Sequence, residues 1–364
     1  MEGTILSIFW GLCSGAALFK DGKLLAAVSE ERFTRHKNET CFPEKSIQWM
    51  LQEHGISPED INLFCLESND VGTDYVLLSK HNWSIEDYIF ENQKYWKRKL
   101  LDPSNSKEVD YYDLMSSKIN VNQYPATYWE GLVQRKNYDA FMGDKKELVA
   151  QYFNVDSDKV LTIDHHRSHA AYSYYTSPLH GKQVLALTVD AWGDGKNYTI
   201  GTFDKQGKYK GLHEGNSCHI ARIYRYITLL LGLKPSEHEF KVMGLAPYGK
   251  EKYALKALEV FKETLIVEGL DFKWKTEPTD SYYWFRERLE GIRFDNIAWA
   301  LQQWAEDLLV EWTTNAVNKY KINNLVFSGG VALNVKAMGK IAALPKVENL
   351  FIGGSAGDES QAIG

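Results

Sequence analysis

The stretch "VLALTVDAWGDGKNYTIGTF", residues 184–203, decides the fold class. An apolar, β-branched run ends at Asp190, a turn containing Asp194 and Gly195 follows, and a second apolar run begins directly after it. This pattern predicts a β-hairpin. Residues 4–28 repeat the order of strand, small-residue turn and strand. Two such hairpins predict a two-lobed α/β fold with a ligand between the lobes.

Length and composition set the broad class of the protein. The 364 residues are 44% hydrophobic and 25% charged, which is typical of a globular chain too long for one compact core. A net charge of −6 gives no reason to expect a nucleic-acid partner. The four cysteines are scattered along the chain, and the sequence has neither a basic leader nor an apolar window of about 18 residues. These features predict a cytoplasmic protein without a membrane partner.

Residues 68–145 differ in character from the rest of the chain. They are rich in Tyr, Trp, Lys and Asp, with weak periodicity and no strong strand pattern. We interpret them as an inserted, mostly helical lobe, either facing a substrate or simply packing on its neighbours. Residues 1–67 and 146–364 would then form the α/β domain, with helices predicted over 250–266 and 296–320.

The histidines of "DHHRSHAA", residues 164–171, indicate a metal site. His165 and His169 are four residues apart and would share one face of a helix. Asp190 and Asp358 follow predicted strands, and strand ends in α/β folds face the ligand cleft. Two histidines and two carboxylates suit Fe(II) or another divalent metal, although such a histidine pair is equally common on a solvated surface.

Two glycine-rich loops follow late strands, "FSGGVALN" at residues 327–334 and "FIGGSAGD" at residues 351–358. Backbone amides at such strand-to-helix turns can bind phosphate, so the pair suggests a clamped nucleotide. The turn at residues 190–195 could serve the same purpose or be an ordinary β-turn. Lys37 and Lys241 lie in charged stretches, where an anion contact and a solvated surface lysine are both open.

Six motifs in order carry a resemblance over most of the chain: "AAVSEERFTRHK", "DHHRSHAA", "VDAWGDG", "IYRYITLLLGLKPSEHEFKVMGLAPYG", "SGGVALN" and "GGSAGDE". Together they resemble the O-carbamoyltransferase family, which includes tobramycin, cephamycin and nodulation-factor carbamoyltransferases. The resemblance implies an actin/hexokinase-like (sugar-kinase, ASKHA) fold. It also implies transfer of a carbamoyl group from carbamoyl-adenylate to a hydroxyl, with iron(II) and a nucleotide bound.

The resemblance assigns roles by position. The implied iron ligands are His165, His169, Asp190 and Asp358. Lys37 would contact the anionic or carbamoyl end of the donor. The implied nucleotide-side and phosphate-side residues are Asp194, Gly195, Lys241, Ser328, Gly329, Gly330, Asn334 and Gly354. Leu12 and Cys13 replace a His-Asp pair that many family members carry, so His36 and His166 are the candidate bases here.

The family continues into a C-terminal domain that makes carbamoyl-adenylate from carbamoyl phosphate and ATP with Mg²⁺. We expect this chain to end before that domain and to depend on it for the donor. The expected acceptor is a small sugar-like or natural-product hydroxyl compound, and a homodimer is compatible with the resemblance. Two alternatives are a tRNA threonylcarbamoyl transferase-like protein and a truncated, non-catalytic nucleotide-binding remnant.

Overall fold

The computed structural model describes residues 3–68, 78, 80–101, 111–118 and 138–364. Its strands are numbered here in chain order. They are β1 (Thr4–Phe9), β2 (Gly15–Lys20), β3 (Lys23–Ser29), β4 (Leu63–Glu67), β5 (Val160–Ile163), β6 (Val184–Gly193), β7 (Lys196–Phe203), β8 (Tyr209–Gly215), β9 (Leu265–Glu268), β10 (Asp271–Trp274), β11 (Asn324–Ser328) and β12 (Asn349–Ile352).

Two five-stranded sheets share one topology. The first has the order β3-β2-β1-β4-β5, and the second has the order β12-β11-β6-β7-β8. In the first sheet, β1 pairs antiparallel with β2 and parallel with β4. In the second sheet, β6 pairs antiparallel with β7 and parallel with β11. The repeated pattern confirms the predicted two-lobed α/β fold of the actin/hexokinase-like class. The carboxyl ends of β6 and β11 therefore meet, because parallel neighbours end at the same edge.

Helices cover the sheets and connect the strands. They are α1 (Glu31–Thr34), α2 (Glu44–His54), α3 (Ile85–Glu91), α4 (Lys97–Leu101), α5 (Tyr111–Leu114), α6 (Tyr138–Phe153), α7 (His165–Tyr175), α8 (Ile220–Leu230), α9 (Glu239–Leu245), α10 (Glu251–Lys262), α11 (Ser281–Arg288), α12 (Phe294–Tyr320) and α13 (Val335–Ala342). Short 3₁₀ turns follow β11 at Gly330–Leu333 and end the chain at Asp358–Ile363.

The largest core lies between the second sheet and α12. The helix buries Leu301, Trp304, Leu309 and Trp312 against side chains of β6, β7 and β11. A second core lies on the first sheet and includes Phe64. Burial of such apolar surface is the main stabilising term of both lobes, at roughly 25 cal/mol per Å².

One predicted helix is too long. The amphipathic pattern over residues 250–266 forms α10 only as far as Lys262, and the chain then makes the β9–β10 hairpin. Leu265, Ile266 and Val267 are the apolar, partly β-branched start of this hairpin, and Gly269 takes φ +64° in its turn. The turn residue and the strand propensity stop the helix earlier than the periodicity alone predicts.

The inserted lobe is described in part. Within residues 69–145 the described segments are helical, and α3 and α5 contact Leu229, Tyr282 and Tyr283 of the second lobe. The rest of that prediction lies outside the described residues, and its boundaries remain a prediction. Among the helices that the structure describes, none combines the length and the apolar character needed to cross a membrane.

Candidate metal centre

A cavity of about 700 Å³ lies between the two sheets. The first lobe lines it with β2, β3 and the loops around Leu12 and Lys37. The second lobe lines it with α8, α9 and the carboxyl end of β6. The loops after β11 and β12 complete the wall. Its position between the lobes agrees with the ligand cleft predicted from the paired hairpins.

The four predicted metal ligands converge beside this cavity. One ligand atom from each of His165, His169, Asp190 and Asp358 lies within 4.8 Å of all the others. The Nε2 atom of His165 is 3.0 Å from Asp190 Oδ2 and 3.1 Å from His169 Nε2. His169 Nε2 is in turn 3.3 Å from Asp358 Oδ1. Both histidines are buried, whereas both carboxylates line the cavity.

The electrostatics of this cluster reflect close packing of opposite charges. Burial alone would lower the pKa of His169, but hydrogen bonds to Asp190 and Asp358 raise it to about 9. Burial opposes ionisation of Asp190 as well, yet hydrogen bonds from both histidines hold its pKa well below the usual range. Burial and the neighbouring Asp190 carboxylate raise the pKa of Asp358. A positive charge between the carboxylates is thus favourable.

The glycine-rich loop after β11 holds the metal-ligand residues in place. Ser328 Oγ donates a hydrogen bond to the carbonyl oxygen of His169 at 2.7 Å. The backbone N–H of Gly330 donates to Asp190 Oδ1 at 3.0 Å, which leaves Oδ2 of that carboxylate facing the histidines. This loop is therefore in contact with the cluster. Outer partners of this kind orient metal ligands and tune their basicity.

The hairpin turn between β6 and β7 supports the same cluster from the other side. Asp194 Oδ2 accepts a hydrogen bond from the backbone N–H of His165 at 2.8 Å, and its Oδ1 accepts one from Ser68. Asp194 and Gly195 both have positive φ values, 49° and 78°, as a tight hairpin turn requires. Neither residue lines the cavity, so the structure places the predicted phosphate turn at the N-terminus of α7 instead.

Most of the chain matches one known protein family. Residues 8–364 match the family model described as the carbamoyltransferase N-terminus.

The chain belongs to the carbamoyltransferase family.

Relatives of this carbamoyltransferase domain are distant in sequence. The uncharacterized protein sll1178 of Synechocystis sp. is 28% identical, over 96% of this chain and 54% of that protein. The nodulation protein NolNO of Sinorhizobium fredii is 25% identical, over 96% of this chain and 45% of that protein. The chain spans about half the length of the curated relatives it matches.

Among solved structures, component A of the (R)-2-hydroxyglutaryl-CoA dehydratase of Acidaminococcus fermentans is similar to the chain. It is 12% identical with a TM-score of 0.44, and the match covers 100% of this chain and 95% of that chain.

The predicted catalytic residues of the carbamoyltransferase chain lie in different surroundings. Lys37 lines the cavity, and its Nζ is 3.4 Å from Glu237 Oε1 of the opposite lobe. His36 does not line the cavity, and its Nδ1 lies 3.3 Å from the buried carboxylate of Glu39. His166 is fully buried and bonds Thr188 Oγ1 at 2.7 Å.

The position of His166 argues against its predicted role as a base. Burial, followed by the proximity of His165 and His169, lowers the pKa of His166 to about 3. Its ring is absent from the cavity lining, so it has no route to a bound hydroxyl. His166 therefore lies behind the cluster, where its ring bonds Thr188 of β6.

Leu12 and Cys13 stand at the cavity wall. Cys13 adopts a left-handed backbone with φ 64°, which is uncommon outside glycine. Burial and the carboxylates of Glu359 and Asp358 raise the pKa of its thiol well above the usual value. A raised pKa disfavours the thiolate form of this cysteine.

The remaining residues predicted to lie on the nucleotide side also have different surroundings. Asn334 lines the cavity, whereas Gly329 lies behind it with φ +91°, where a Cβ would be 2.3 Å from the carbonyl oxygen of Val189. Lys241 is exposed beside the ring of Phe240, and Gly354 is exposed beyond the loop. Neither Lys241 nor Gly354 belongs to the cavity lining, so the structure does not bring them to the site.

Several residues in and around the site were not predicted as site residues from the sequence. Tyr224 and Arg225 of α8 line the cavity, and buried Gln302 of α12 contacts two of the lining residues. Glu67, at the end of β4, accepts hydrogen bonds from Ser168 and from Ser7. A lone polar residue in an otherwise apolar helix or strand has no spacing partner, so periodicity could not single it out.

Proposed function

We propose that the chain is the transfer domain of an O-carbamoyltransferase that moves a carbamoyl group from carbamoyl-adenylate to a hydroxyl of a sugar-like or natural-product acceptor. In this reaction the acyl carbon–oxygen bond to the adenylate phosphate breaks. A bond forms between that carbon and the acceptor oxygen, and AMP and the hydroxyl proton are released. The observation that carries the proposal is the convergence of two histidines and two carboxylates at the cavity wall.

The four residues fit a divalent metal, which we propose to be iron(II). Two imidazole nitrogens and two carboxylate oxygens form the mixed donor set that this class of ion prefers. Asp358 Oδ1 is buried and lies 3.3 Å from His169 Nε2 and 3.5 Å from His165 Nε2, so a cation held between these ligands would coordinate it. When bound, the metal would supply Lewis-acid polarisation of the carbamoyl carbonyl.

Lys37 provides positive charge on the opposite wall. Its ammonium group lines the cavity at the lobe boundary, where Glu237 holds it in place. Arg32 and Arg225 add positive charge to the lining of the same cavity. We propose that Lys37 contacts the phosphate or carbamoyl end of the donor. A positioned cation there would stabilise the charge that develops on the leaving adenylate.

The inserted lobe, residues 68–145, is proposed to face the acceptor. Tyr88 of α3 lies beneath Arg225, whose guanidinium carbon is 5.7 Å from the centroid of the tyrosine ring. Because Arg225 also lines the cavity, this part of the insertion adjoins the cavity wall. Variation in an element at that place would change which hydroxyl compounds fit without altering the metal ligands.

The supply of carbamoyl-adenylate is proposed to lie outside these residues. Since the curated relatives are about twice as long as the matched region, we propose that a second half makes the donor from carbamoyl phosphate and ATP with Mg²⁺. A mixed anhydride of carbamate and phosphate is prone to hydrolysis, so direct passage between neighbouring cavities would protect it.

A supplied-donor assay tests the proposed function. Purified chain, prepared anaerobically with iron(II), is mixed with synthetic carbamoyl-adenylate and a panel of glycosides, and both AMP and carbamoylated product are followed. We expect acceptor-dependent AMP release by the wild type and by His54→Ala, an exposed histidine of α2. We expect none from the double variant His165→Ala/His169→Ala. Equal product formation by the double variant would overturn the proposed role of the cluster.

A further inference from the structure

A buried polar network connects α12 to the cavity wall. Gln302 is 3% exposed, and its side-chain amide uses every hydrogen-bonding position it has. Its Nε2 donates to Glu306 Oε1 at 2.7 Å and to Asn334 Oδ1 at 2.8 Å. Its Oε1 accepts from Tyr224 Oη at 2.7 Å and from Asn334 Nδ2 at 3.1 Å.

The direction of every bond in this network is fixed from one end. Glu306 forms an ion pair with Lys340 at 2.5 Å, so its carboxylate can only accept hydrogen bonds. The end of the Gln302 amide that meets Glu306 must therefore be Nε2, and Oε1 must face the cavity wall. Tyr224 can bond that oxygen only by donating its hydroxyl proton. The charge pair thus sets the orientation of groups several bonds away.

The hydrogen-bonding roles of the Asn334 side chain are fixed in the same way. Its Oδ1 accepts from Gln302 Nε2 and also from the backbone N–H of Ala337, which it caps at 3.1 Å. Both lone pairs of Oδ1 are therefore in use. One hydrogen of Asn334 Nδ2 goes to Gln302, and the other has no such assignment in this network. Both Asn334 and Tyr224 line the cavity.

Two residues of the cavity wall thus carry hydrogen-bonding groups of opposite kind. Tyr224 Oη has given its proton to Gln302 and can only accept, whereas Asn334 Nδ2 can only donate. Both groups bond the same oxygen, Gln302 Oε1, Tyr224 Oη at 2.7 Å and Asn334 Nδ2 at 3.1 Å. An acceptor beside a donor matches two neighbouring hydroxyls of a sugar ring, one of which donates while the other accepts.

We propose that Gln302 is a positioning residue that orients Tyr224 and Asn334 to bind a vicinal diol of a sugar ring. The proposal rests on the proposed function, since both the ribose of an adenylate donor and a sugar-like acceptor carry such a diol. Gln302 touches neither ligand itself. It lies on α12 between the Glu306–Lys340 ion pair and the cavity wall, and its hydrogen bonds fix the orientation of Tyr224 Oη and Asn334 Nδ2, the two groups proposed to bind the diol.

The test compares the discrimination between a diol and its deoxy analogue in four proteins. The proteins are the wild type, Gln302→Met, Tyr224→Phe and the control Gln303→Met, whose side chain bonds Asp307 on the outer face of the same helix. Calorimetry gives the Kd of AMP and of 2′,3′-dideoxy-AMP. The transfer assay gives the KM of the best glycoside acceptor and of its deoxy analogues. Tyr224→Phe removes one atom only, and it keeps the test informative where Gln302→Met fails to fold.

We expect the wild type and Gln303→Met to prefer the diol about tenfold, the scale of two hydrogen bonds to uncharged groups. In Tyr224→Phe and Gln302→Met the ratio between the deoxy analogue and the diol should fall towards one. The Kd ratio of the AMP pair falls if the site binds the ribose, and the KM ratio of the glycoside pair falls if it binds the acceptor. A general loss of packing would weaken both members of a pair equally. Unchanged preferences in both variants would overturn this inference alone. Failure of the wild type to bind AMP or any glycoside would overturn the proposed function together with it.

Discussion

At the scale of single residues, Gly329 is the position where a side chain is least compatible with the site. Its φ of +91° suits glycine, and a Cβ there would meet the carbonyl oxygen of Val189 at 2.3 Å. We expect Gly329→Ala to lower the free energy of unfolding by about 3 kcal/mol, from backbone strain and the clash together. Urea denaturation measures it.

Gly354→Ala is the matched control for this prediction. Gly354 is exposed, and a Cβ there would meet no atom within 4 Å among the described residues. We expect its free energy of unfolding to stay within about 0.5 kcal/mol of the wild type. Equal effects of the two alanines would show that the loop after β11 does not have the conformation described here.

Glu67 gives the protein a pH dependence with a definite sign. Burial raises the pKa of its carboxyl from 4.5 to about 7, against the hydrogen bonds from Ser168 and Ser7. Because the folded pKa is the higher one, folding is favoured while Glu67 is protonated, and the contribution is lost as the pH rises through the folded value. We expect a loss of roughly 2 to 3 kcal/mol between pH 5 and pH 8.

Glu67→Gln should remove that loss. The free energy of unfolding of the wild type and of the variant, measured by urea at both pH values, gives the Glu67 contribution as a difference. Glu53→Gln, on the exposed face of α2, controls for the removal of a carboxylate. Parallel pH profiles of wild type and Glu67→Gln would contradict the buried, protonated state of this residue.

Some residues in and near the candidate metal site could be predicted from the sequence, and others could not. The spacing of His165 and His169 is visible in the sequence because a helix brings positions four apart together. Asp190 lies near the carboxyl end of β6 and Asp358 lies in the loop region after β12 of the same sheet, so the strand pattern of the sequence predicts both. Gln302 could not be predicted, because its function depends on which residues the fold places around it.

At the scale of elements, α7 carries both histidines and depends on its first turn. Asp164 is the N-cap: its Oδ1 accepts from the backbone N–H of Arg167 at 2.9 Å, and its Oδ2 pairs with Lys196 at 2.9 Å. We expect Asp164→Ala to cost about 1.5 kcal/mol of stability. It should also weaken metal binding about tenfold, since the helix start positions His165.

Asp156→Ala separates the two effects. Asp156 caps a 3₁₀ turn at Ser157–Lys159, away from the cavity, by accepting from the backbone N–H of Asp158 at 3.0 Å. We expect this variant to lose stability without any change in metal affinity. Thermal unfolding and metal titration on both variants test this, and a metal affinity that is unchanged in Asp164→Ala would contradict the link between cap and site.

Element boundaries coincide with local start and stop signals in the sequence where such signals exist. Pro43 and Gly55 bracket α2, with Gly55 in the left-handed region at φ 59°. The predicted helix over 250–266 failed at its end, where the strand propensity of Leu265–Glu268 competes with the helical period. The role of Asp194 also escaped prediction, because only the folded hairpin shows its carboxylate returning to the backbone of His165.

At the scale of the whole molecule, the duplicated sheet topology explains why the site lies where it does. The hairpins at residues 4–28 and 184–203 were sufficient to predict two lobes with a cleft, because each begins a sheet of the same order. The pairing of Lys37 with Glu237 across the cleft was not predictable, since about two hundred residues separate them. Contacts between lobes depend on the relative placement of whole sheets, which no local pattern encodes.

The cluster of His165, His169, Asp190 and Asp358 is proposed to hold a divalent metal. Metal analysis of anaerobically purified chain, before and after loading with iron(II), tests it most directly. The wild type should hold close to one metal per chain and unfold at a higher temperature when loaded, because a ligand bound only by the folded state stabilises it. His165→Ala/His169→Ala should do neither, while His54→Ala matches the wild type. Equal metal content in the wild type and the double variant would contradict the account.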